Sequence, residues 1–352
     1  MTGQANMTVY STAALVGVVP NLKRSQKFLL DKFFPNLVLS DTEEVDIDVD
    51  VGKRRLAPFV SPMVEGKLVE GRRYQTDRFK PAYIKDKRAP DLRRPVRRMI
   101  GEQIGGNSLS PQQRYEANIA FEMEDQIDII DRRLEWMAAS ALNTGTITVE
   151  GEGFPTQVID FGRSPTLSVT LSGALKWGQP GVVPSDDIER WGHEILKKSG
   201  GVATDIVFTT TSWANFIADP VVKQAVWYPN GGGDNAINIG AQIQRGGVYK
   251  GRWGQYDLWV YNDWYVDPVD DVEKPMLVDG TVLMTGADLM GTRAFGVILD
   301  PAFAYGSLAY APKMWLNQDP PQLFLMMQSA PLVIPSRVNA SFSANVCDPK
   351  VF

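Results

Sequence analysis

The sequence predicts an α+β protein in which one very long helix is preceded and followed by β-structure. Three observations support this class. Residues 111–143 place an apolar side chain at every third or fourth position, which is the period of a helix. Residues 45–51 alternate strictly between apolar and acidic side chains, as a strand with one buried face does. Short apolar runs separated by Gly and Pro follow the helix and return near the C-terminus, which is typical of strands.

The composition argues against most kinds of catalytic or metal site. The 352 residues contain one histidine and one cysteine, His193 and Cys347. No intramolecular disulfide, multi-cysteine metal site or histidine cluster can therefore form. Nucleotide-binding patterns of the Walker A and GxGxxG types and the nucleophile pattern GxSxG are also absent from the sequence. We therefore expect no catalytic residue, no metal and no cofactor.

The apolar runs are too short for a membrane protein. None approaches the roughly 18 residues needed to cross a bilayer. Residues 1–26 lack a basic stretch ahead of a long apolar run, which a secretory signal would have. We therefore expect neither a signal peptide nor a membrane partner.

Residues 45–51 predict an acidic strand. The alternation places Asp46, Asp48 and Asp50 on one face and the apolar side chains on the other, because successive side chains of a strand point to opposite faces. The strand therefore presents a row of negative charge on one side and an apolar surface on the other.

Two longer β-like runs, at 56–70 and 74–85, follow the acidic strand, and we interpret them as an extended hairpin joined near Gly71. Each run could reach about 40 Å. Three prolines within the runs cannot donate hydrogen bonds to a ladder, which argues against a central position in a sheet. A two-stranded hairpin is not stable alone. Because little in the chain looks able to cover it, we expect the hairpin to leave its own subunit.

Residues 71–98 concentrate positive charge. They contain eleven Lys or Arg against three Asp, although the whole chain has a net charge of −5. Such a segment could bind nucleic acid through phosphates, remain a solvated surface loop, or contact acidic residues on another copy of the chain. The acids and prolines between the basic residues weaken the positive field, which counts against tight DNA binding.

The long helix is predicted over 111–143. Ser110 is a suitable N-cap, Pro111 suits the first helical position, and Gln113 completes a capping box. Gly145 is a suitable C-terminal stop. A helix of this length extends about 50 Å. A compact globule of this chain length has a radius of gyration of about 20 Å. We therefore expect a flat or elongated molecule.

After this helix the sequence returns to short elements. Runs at 146–171 are separated by Gly and Pro and predict strands. A helix is expected over 186–199, with Ser185 as its N-cap and with His193 on its surface. A strand at 205–209 and a short helix follow.

Residues 181–299 are rich in aromatic side chains, which indicates packing more than a surface for stacking bases. The region contains a glycine-rich loop at 228–235, expected to be mobile, a hairpin at 249–266 and an acidic loop at 267–273. An enzyme with a carboxylate site in this region is an alternative from another functional class. Six of the nine tryptophans lie here: Trp191, Trp213, Trp227, Trp253, Trp259 and Trp264.

Four blocks of sequence carry a family resemblance. They are VSPMVEG at 60–66, FKPAYIKDK at 79–87 with LRR soon after, DFGRS at 160–164 and MMQSAPL at 326–332. In order and approximate spacing they resemble the lambda-type major capsid proteins of tailed bacteriophages. The resemblance runs from about Val60 to the C-terminus and is weaker in the middle of the chain.

The resemblance implies the Hong Kong 97-type capsid fold and a structural protein. Such proteins form hexamers and pentamers of an icosahedral shell that encloses double-stranded DNA. It also implies scaffolding, portal and decoration proteins as partners, weak non-specific contact with the DNA, and a virion capsid assembled in the host cytoplasm. An encapsulin-type shell of the same fold is the alternative. The implied parts are an N-terminal arm at 1–55, an extended loop at 56–90, a peripheral domain at 91–180 with spine helix 111–143, an axial domain at 181–299, and a return to the peripheral domain at 300–352.

In that fold the extended loop lies across the neighbouring subunit, so the expected site is an interface. We expect basic residues of the loop to meet acidic residues of the adjacent copy, with the row in 45–51 as first candidate and the acidic loop at 267–273 as second. Apolar residues beside them would complete the contact. The expected interface residues are Arg72, Arg73, Arg78, Phe79, Lys80, Tyr83, Ile84, Asp46, Asp48 and Asp50.

Overall fold

The computed structural model describes Leu15 and residues 27–50, 56–57, 59–63, 65–66, 74–90, 110–151, 153–226, 242–244, 246–319 and 321–349. Arg72, Arg73 and the loop expected at 228–235 lie outside these residues. For the three aspartates of 45–51 the structure gives the backbone alone.

The described residues form a few helices among many short strands. The helices are α1 (Phe28–Phe33), α2 (Pro111–Thr144), α3 (Pro184–Ser199), α4 (Thr210–Ala218) and α5 (Pro220–Val226). The strands are β1 (Asn36–Leu39), β2 (Val45–Asp50), β3 (Tyr74–Phe79), β4 (Ile84–Arg88), β5 (Thr146–Gly151), β6 (Phe154–Asp160), β7 (Ser168–Thr170), β8 (Asp205–Phe208), β9 (Gln242–Gln244), β10 (Gly247–Trp253), β11 (Tyr256–Val260), β12 (Trp264–Val266), β13 (Glu273–Pro275), β14 (Thr281–Thr285), β15 (Gly291–Phe295), β16 (Ala311–Gln318), β17 (Pro321–Ser329), β18 (Pro331–Pro335) and β19 (Phe342–Asn345).

Helix α2 confirms the predicted long helix and its caps. The Gln113 N–H donates to Ser110 Oγ at 3.2 Å, and the Ser110 N–H donates to Gln113 Oε1 at 2.9 Å. Gly145 ends the helix in the left-handed conformation, with φ of 74°. The buried side of the helix anchors one of two hydrophobic clusters through Ile119, Met123, Ile127, Ile130, Leu134 and Met137.

The strands form one large sheet and several small ones. The seven-stranded sheet has the order β7-β19-β14-β8-β11-β10-β9, and its core packs with α3 and α4 in the second hydrophobic cluster. The three-stranded sheets are β1-β15-β18 and β16-β17-β4, and both pack on the α2 side. The remaining pairs are β2-β3, β5-β6 and β12-β13. The fold is therefore α+β, as predicted.

The N-cap expected at Ser185 is wrong. Helix α3 begins two residues earlier than predicted, with Pro184 as its first residue and Val183 at the N-cap position. Ser185 is buried, and its N–H donates to Asp219 Oδ2 at 2.9 Å. The acceptor for this helix start therefore comes from a residue distant in the sequence. His193 is exposed on α3, as expected.

Trp191, Trp253 and Trp259 of the tryptophan-rich region are buried inside the protein, as predicted, whereas Trp264 is exposed. Trp227 lies outside the described residues. The Trp191 ring stacks on Phe342 at 5.0 Å between centroids and on Trp177 at 5.8 Å. Trp253 meets Phe216 edge-on at 5.7 Å. These rings fill the second hydrophobic cluster, so they are not a surface that bases could stack on.

The hairpin expected over 56–85 has different strands. The described residues between 56 and 66 contain no strand, and β3 pairs instead with the acidic strand β2. Beyond Pro81, β4 leaves the hairpin and pairs with β17 of the C-terminal region. Because proline has no N–H to donate, one uninterrupted strand across 74–85 is unfavourable. The expectation that the chain cannot cover this region is therefore wrong for β4.

Candidate assembly surface

The β2-β3 pair forms a ribbon, hereafter the β2–β3 ribbon, in which one acidic and one basic residue occupy facing positions. Its antiparallel register places Asp46 opposite Arg78, Asp48 opposite Thr76 and Val45 opposite Phe79. Opposite charges in directly facing positions favour such a pairing. The acidic row and Arg78 therefore belong to two strands of one chain, which changes the expectation that this row is first met by a neighbouring subunit.

Lys80 also has an acidic neighbour in its own chain. Its Nζ forms an ion pair with Glu43, and both side chains are about half exposed. Exposed pairs of this kind contribute about 0–1 kcal/mol to stability. Arg78 and Lys80 are thus near intrachain acids.

A polar network fixes the chain where it leaves the β2–β3 ribbon. The Tyr83 hydroxyl donates to Gln328 Oε1 at 2.9 Å and accepts the Leu299 N–H at 3.1 Å. Gln328 Nε2 in turn donates to Asp300 Oδ2 at 3.1 Å, and Lys313 Nζ donates to the same oxygen at 2.7 Å. Burial raises the pKa of the Tyr83 phenol, so the hydroxyl stays protonated near neutral pH. Tyr83 is therefore an anchor within the subunit, which the sequence did not reveal.

The other two apolar residues expected at the interface also contact their own chain. The Phe79 ring lies 6.4 Å from the Phe161 ring, measured between centroids. Ile84 pairs with Ser329 in the β4-β17 ladder and packs against the main hydrophobic cluster. Each nevertheless remains half-buried, so part of its surface can still contact a neighbour.

Three large apolar side chains project from the loop between β2 and β3. Leu56, Phe59 and Met63 are each at least 94% exposed. Burying one such side chain against a partner contributes about 1.5–3 kcal/mol. Clustered exposure of this kind marks an interaction site more often than a free surface. Leu56, Phe59 and Met63 are therefore stronger candidates for the apolar contact than Phe79, Tyr83 and Ile84.

An apolar groove of about 680 Å³ lies on the exposed side of α2. Its walls come from residues 82–84, just beyond the β2–β3 ribbon, and from α2, β5 and the β12-β13 hairpin. In the groove the Arg133 guanidinium lies over the Trp136 ring in a cation–π contact, with its central carbon 5.3 Å from the ring centroid. The groove surface includes Ile84, Ile129, Trp136, Val149, Trp264 and Val266.

Carboxylates of the tryptophan-rich region form hydrogen bonds and ion pairs within the subunit. Asp205 accepts a hydrogen bond from Trp259 Nε1 at 3.1 Å and pairs with Lys32 at 2.7 Å. Asp267 pairs with Lys274 at 2.6 Å. Within the residues that the structure describes, no group of three His, Cys, Asp or Glu side chains could hold a metal ion. Among the described helices, none combines the length and apolar character needed to cross a membrane.

Comparison with known proteins identifies the family. Residues 11–346 match the family model described as phage major capsid protein E. The chain belongs to this family. Its relatives include the major capsid protein of Escherichia phage lambda, which is 31% identical over 340 residues, covering 93% of this chain and 96% of that protein. The major capsid protein of Escherichia phage N15 is also 31% identical, over 335 residues, with the same coverage of both chains.

The solved structures agree with the family on the fold. The crystal structure of a prophage capsid protein from E. coli CFT073 superposes with a TM-score of 0.75 at 20% identity, covering 97% of this chain and all of that one. The capsid of Ralstonia phage GP4 gives a TM-score of 0.50 at 11% identity, covering 100% of this chain and 96% of that one. The fold is the Hong Kong 97-type capsid fold, and the resemblance predicted from the sequence blocks is confirmed.

Proposed function

We propose that this phage major capsid protein is the repeating subunit of an icosahedral shell, built from hexamers and pentamers around packaged double-stranded DNA. The observation that carries the proposal is that one chain has two separate, uncovered apolar surfaces. Leu56, Phe59 and Met63 are uncovered in their own subunit, and an apolar groove on α2 is open elsewhere. Two different complementary surfaces on one chain make a head-to-tail contact, and such contacts close into rings when the rotation allows.

The loop of the β2–β3 ribbon would fill the groove of the next copy in the ring. Apolar side chains would enter between α2 and the β12-β13 hairpin, which excludes water from both surfaces. The contact would combine apolar burial with charge pairing at its edge. This arrangement accounts for three fully exposed large side chains that an isolated subunit would otherwise carry at a cost in solubility.

The remaining charges give the contact its register. Since Arg78 and Lys80 have acids nearby in their own chain, Arg72 and Arg73 are the stronger candidates for pairs across the contact. Pro268 and Glu273 of the acidic loop line the groove, which makes this loop a better partner than its position in the sequence indicated. Rim charges of this kind select the partner and its orientation more than they add affinity.

The same proposal assigns a part of the fold to each segment. Residues 1–55 form the arm, 56–90 the extended loop, 91–180 the peripheral domain and 181–299 the axial domain. The first hydrophobic cluster lies along α2, and the second packs on the seven-stranded sheet. The presence of two clusters supports a division into a peripheral and an axial domain. The final segment, 300–352, serves both, since strand β19 pairs with β14 inside the seven-stranded sheet.

Other components follow from the same function. We propose that scaffolding, portal and decoration proteins act with this subunit, that assembly takes place in the host cytoplasm, and that DNA contacts the shell weakly and without sequence preference. An encapsulin-type compartment is less well supported, because the family model and the relatives with about 30% identity are phage capsid proteins. We also propose that the shell is not locked by covalent crosslinks, so denaturing gels should show monomers.

The apolar contact can be tested with a double variant. Leu56→Ser with Phe59→Ser should abolish large assemblies in sedimentation velocity while leaving the thermal unfolding of the subunit unchanged, because both side chains are exposed. Leu175→Ser is the matched control, since Leu175 is also exposed but belongs to the turn Gly173–Leu175 and not to the loop. Normal assembly of the double variant would contradict the proposed contact.

A further inference from the structure

The loop between β2 and β3 carries one charge beside its exposed apolar side chains. Residues 56–66 read LAPFVSPMVEG, and Glu65 is the only charged residue among them. Glu65 is exposed and lies two positions after Met63. When the proposed contact buries the apolar side chains, it carries the Glu65 carboxylate to the edge of the same contact. A carboxylate that loses water there is costly unless a cation or hydrogen bonds compensate its charge.

The groove on α2 contains an arginine that has no acid partner. Arg133 is half-buried in the groove wall, and its guanidinium lies over the Trp136 ring. Glu150 and Glu273 line the same groove, yet among the described residues no carboxylate forms an ion pair with Arg133. The groove therefore offers a cation whose charge is not compensated within the subunit.

The other charges around the groove are engaged within the subunit. Arg132 donates to the Trp264 carbonyl oxygen at 2.7 Å and lies 3.7 Å from a carboxylate oxygen of Asp263. In the acidic loop, Asp267 pairs with Lys274 at 2.6 Å. Neither Arg132 nor Asp267 therefore competes strongly for a new partner, and Arg133 is the cation best placed to receive one.

The Trp136 ring prepares Arg133 for a carboxylate. A guanidinium that lies over an aromatic ring keeps the N–H groups at its edges available to donate. These groups can form two parallel hydrogen bonds with one carboxylate. Because the ring already restricts the arginine side chain, less freedom is lost when the pair forms.

We propose that Arg133 binds the Glu65 carboxylate of the next copy in the ring, and that this pair fixes the direction in which the loop lies in the groove. The inference rests on the proposed function, since it needs the loop of one subunit in the groove of another. It adds a specific pair of residues to a contact that apolar burial alone would leave without a direction.

The remaining charges favour the same direction. With Glu65 beside Arg133, the arginines at 72 and 73 can face Glu273 and the acidic loop. The reverse direction would bring Glu65 toward Glu273 and the two arginines toward Arg133, and like charges at an interface oppose binding. A few charges thus separate two orientations that bury similar apolar surface.

Charge reversal tests the pair. Glu65→Arg and Arg133→Glu should each raise the protein concentration needed for assembly by about tenfold or more, because like charges replace opposite ones. The two changes together should restore assembly, followed by sedimentation velocity. Glu65→Arg with Arg190→Glu is the matched control, since it restores the net charge at an exposed position on α3 and should not restore assembly. Absence of rescue, or equal rescue by both combinations, would overturn the pair.

A second measurement does not depend on charge reversal. Arg133→Lys keeps the positive charge and replaces the guanidinium with an amine. A water-soluble carbodiimide joins a carboxyl to an amine in direct contact, taking up one water as the amide forms. Assemblies of this variant should yield chains linked between subunits, with Glu65 in the linked peptide, and adding Glu65→Gln should remove that link. Assemblies that lack the link would contradict the proposal.

The outcomes separate this pair from the proposed loop contact. If Leu56→Ser with Phe59→Ser abolishes assembly while neither the rescue nor the amide link appears, the loop contact stands and the Glu65–Arg133 pair is wrong. If that apolar double variant assembles normally, the loop contact and the pair both fail. Thermal unfolding of each unassembled variant checks its folding. Should Arg133→Glu be unstable, the Glu65 variants and the amide link decide, because Glu65 is exposed.

Discussion

Arg88 donates a hydrogen bond from Nη1 to Glu122 Oε2 at 3.2 Å, and so joins strand β4 to the long helix α2. Its Nε also donates to Asp86 Oδ2 at 3.0 Å, and the guanidinium contacts Asp125 of the same helix. Strand β4 is where the chain enters the C-terminal sheet after the β2–β3 ribbon. The base of the ribbon is therefore fixed to α2 of its own subunit, while Leu56, Phe59 and Met63 of its loop are exposed.

Removing this link should destabilise the subunit. Arg88→Ala is expected to lower the free energy of unfolding by about 1–2 kcal/mol, because charged hydrogen bonds that are partly shielded from solvent are lost. Urea unfolding of the unassembled chain measures the change. Arg190→Ala is the control, since the Arg190 side chain is 63% exposed against 22% for Arg88. Equal effects of the two variants would show that the link adds nothing.

The Tyr83 hydroxyl should contribute to the same anchoring. Tyr83→Phe removes two hydrogen bonds and should cost about 0.5–1.5 kcal/mol of stability. Because the aromatic ring is kept, the exposed loop at 56–63 is unaffected, and assembly should persist at temperatures where the variant is still folded. A variant with wild-type stability that fails to assemble would place Tyr83 at a subunit contact instead.

Asp300 should make the subunit sensitive to acid. Burial alone would raise the pKa of Asp300, but hydrogen bonds from Lys313, the Ala302 N–H and Gln328 outweigh it and hold that pKa below its usual value of 3.8. The stabilisation is therefore present above about pH 4 and is lost as the pH falls through the lowered pKa. Thermal unfolding between pH 2 and 5 should show a shallower acid limb for Asp300→Asn. An identical slope in both proteins would rule out this contribution.

Gly291 should resist any side chain. A Cβ there would lie 2.1 Å from the Phe33 carbonyl oxygen and 2.6 Å from the Phe34 ring, where α1 ends. Gly291→Ala should cost about 1–3 kcal/mol through overpacking, measured by urea unfolding. Gly151→Ala is the control, because no atom lies within 4 Å of a Cβ at that site. A Gly291→Ala protein as stable as the control would show that β15 can move away from Phe33 and Phe34.

The charges at 72 and 73 should decide assembly and leave folding intact. Replacing Arg72 and Arg73 with Glu reverses the charge that is expected to meet acids of the next copy, so shells should not form. The circular dichroism spectrum and melting temperature of the subunit should be unchanged. Normal shells from this variant would show that the two arginines take no part in the contact.

The elements predicted well from the sequence depend on local signals. Helix α2 has its cap, its period and its stop within one segment, and all three appear in the structure. The pairing of β2 with β3 could not be predicted in the same way, because strand partners are selected by contacts between distant residues. The Ser185 cap failed for a similar reason, since the acceptor is supplied by Asp219, which lies between α4 and α5.

The candidate site likewise has features that the sequence predicts and features that only the fold reveals. The charged segment drew attention to 71–98, but charge alone does not tell whether a partner lies in the same chain or in another, as Lys80 and Glu43 illustrate. Exposure of Leu56, Phe59 and Met63 is visible only once the fold shows that nothing in the subunit covers them. An apolar run containing Pro58 and Pro62 was a usable signal, since prolines in a β-like run argue against a paired strand.

Electron microscopy of the purified full-length protein, with sedimentation velocity on the same sample, tests the central claim most directly. A capsid subunit should give rings, tubes or closed shells built on fivefold and sixfold units. A single discrete species of one to four copies, with no ring or shell at any concentration, would contradict the account.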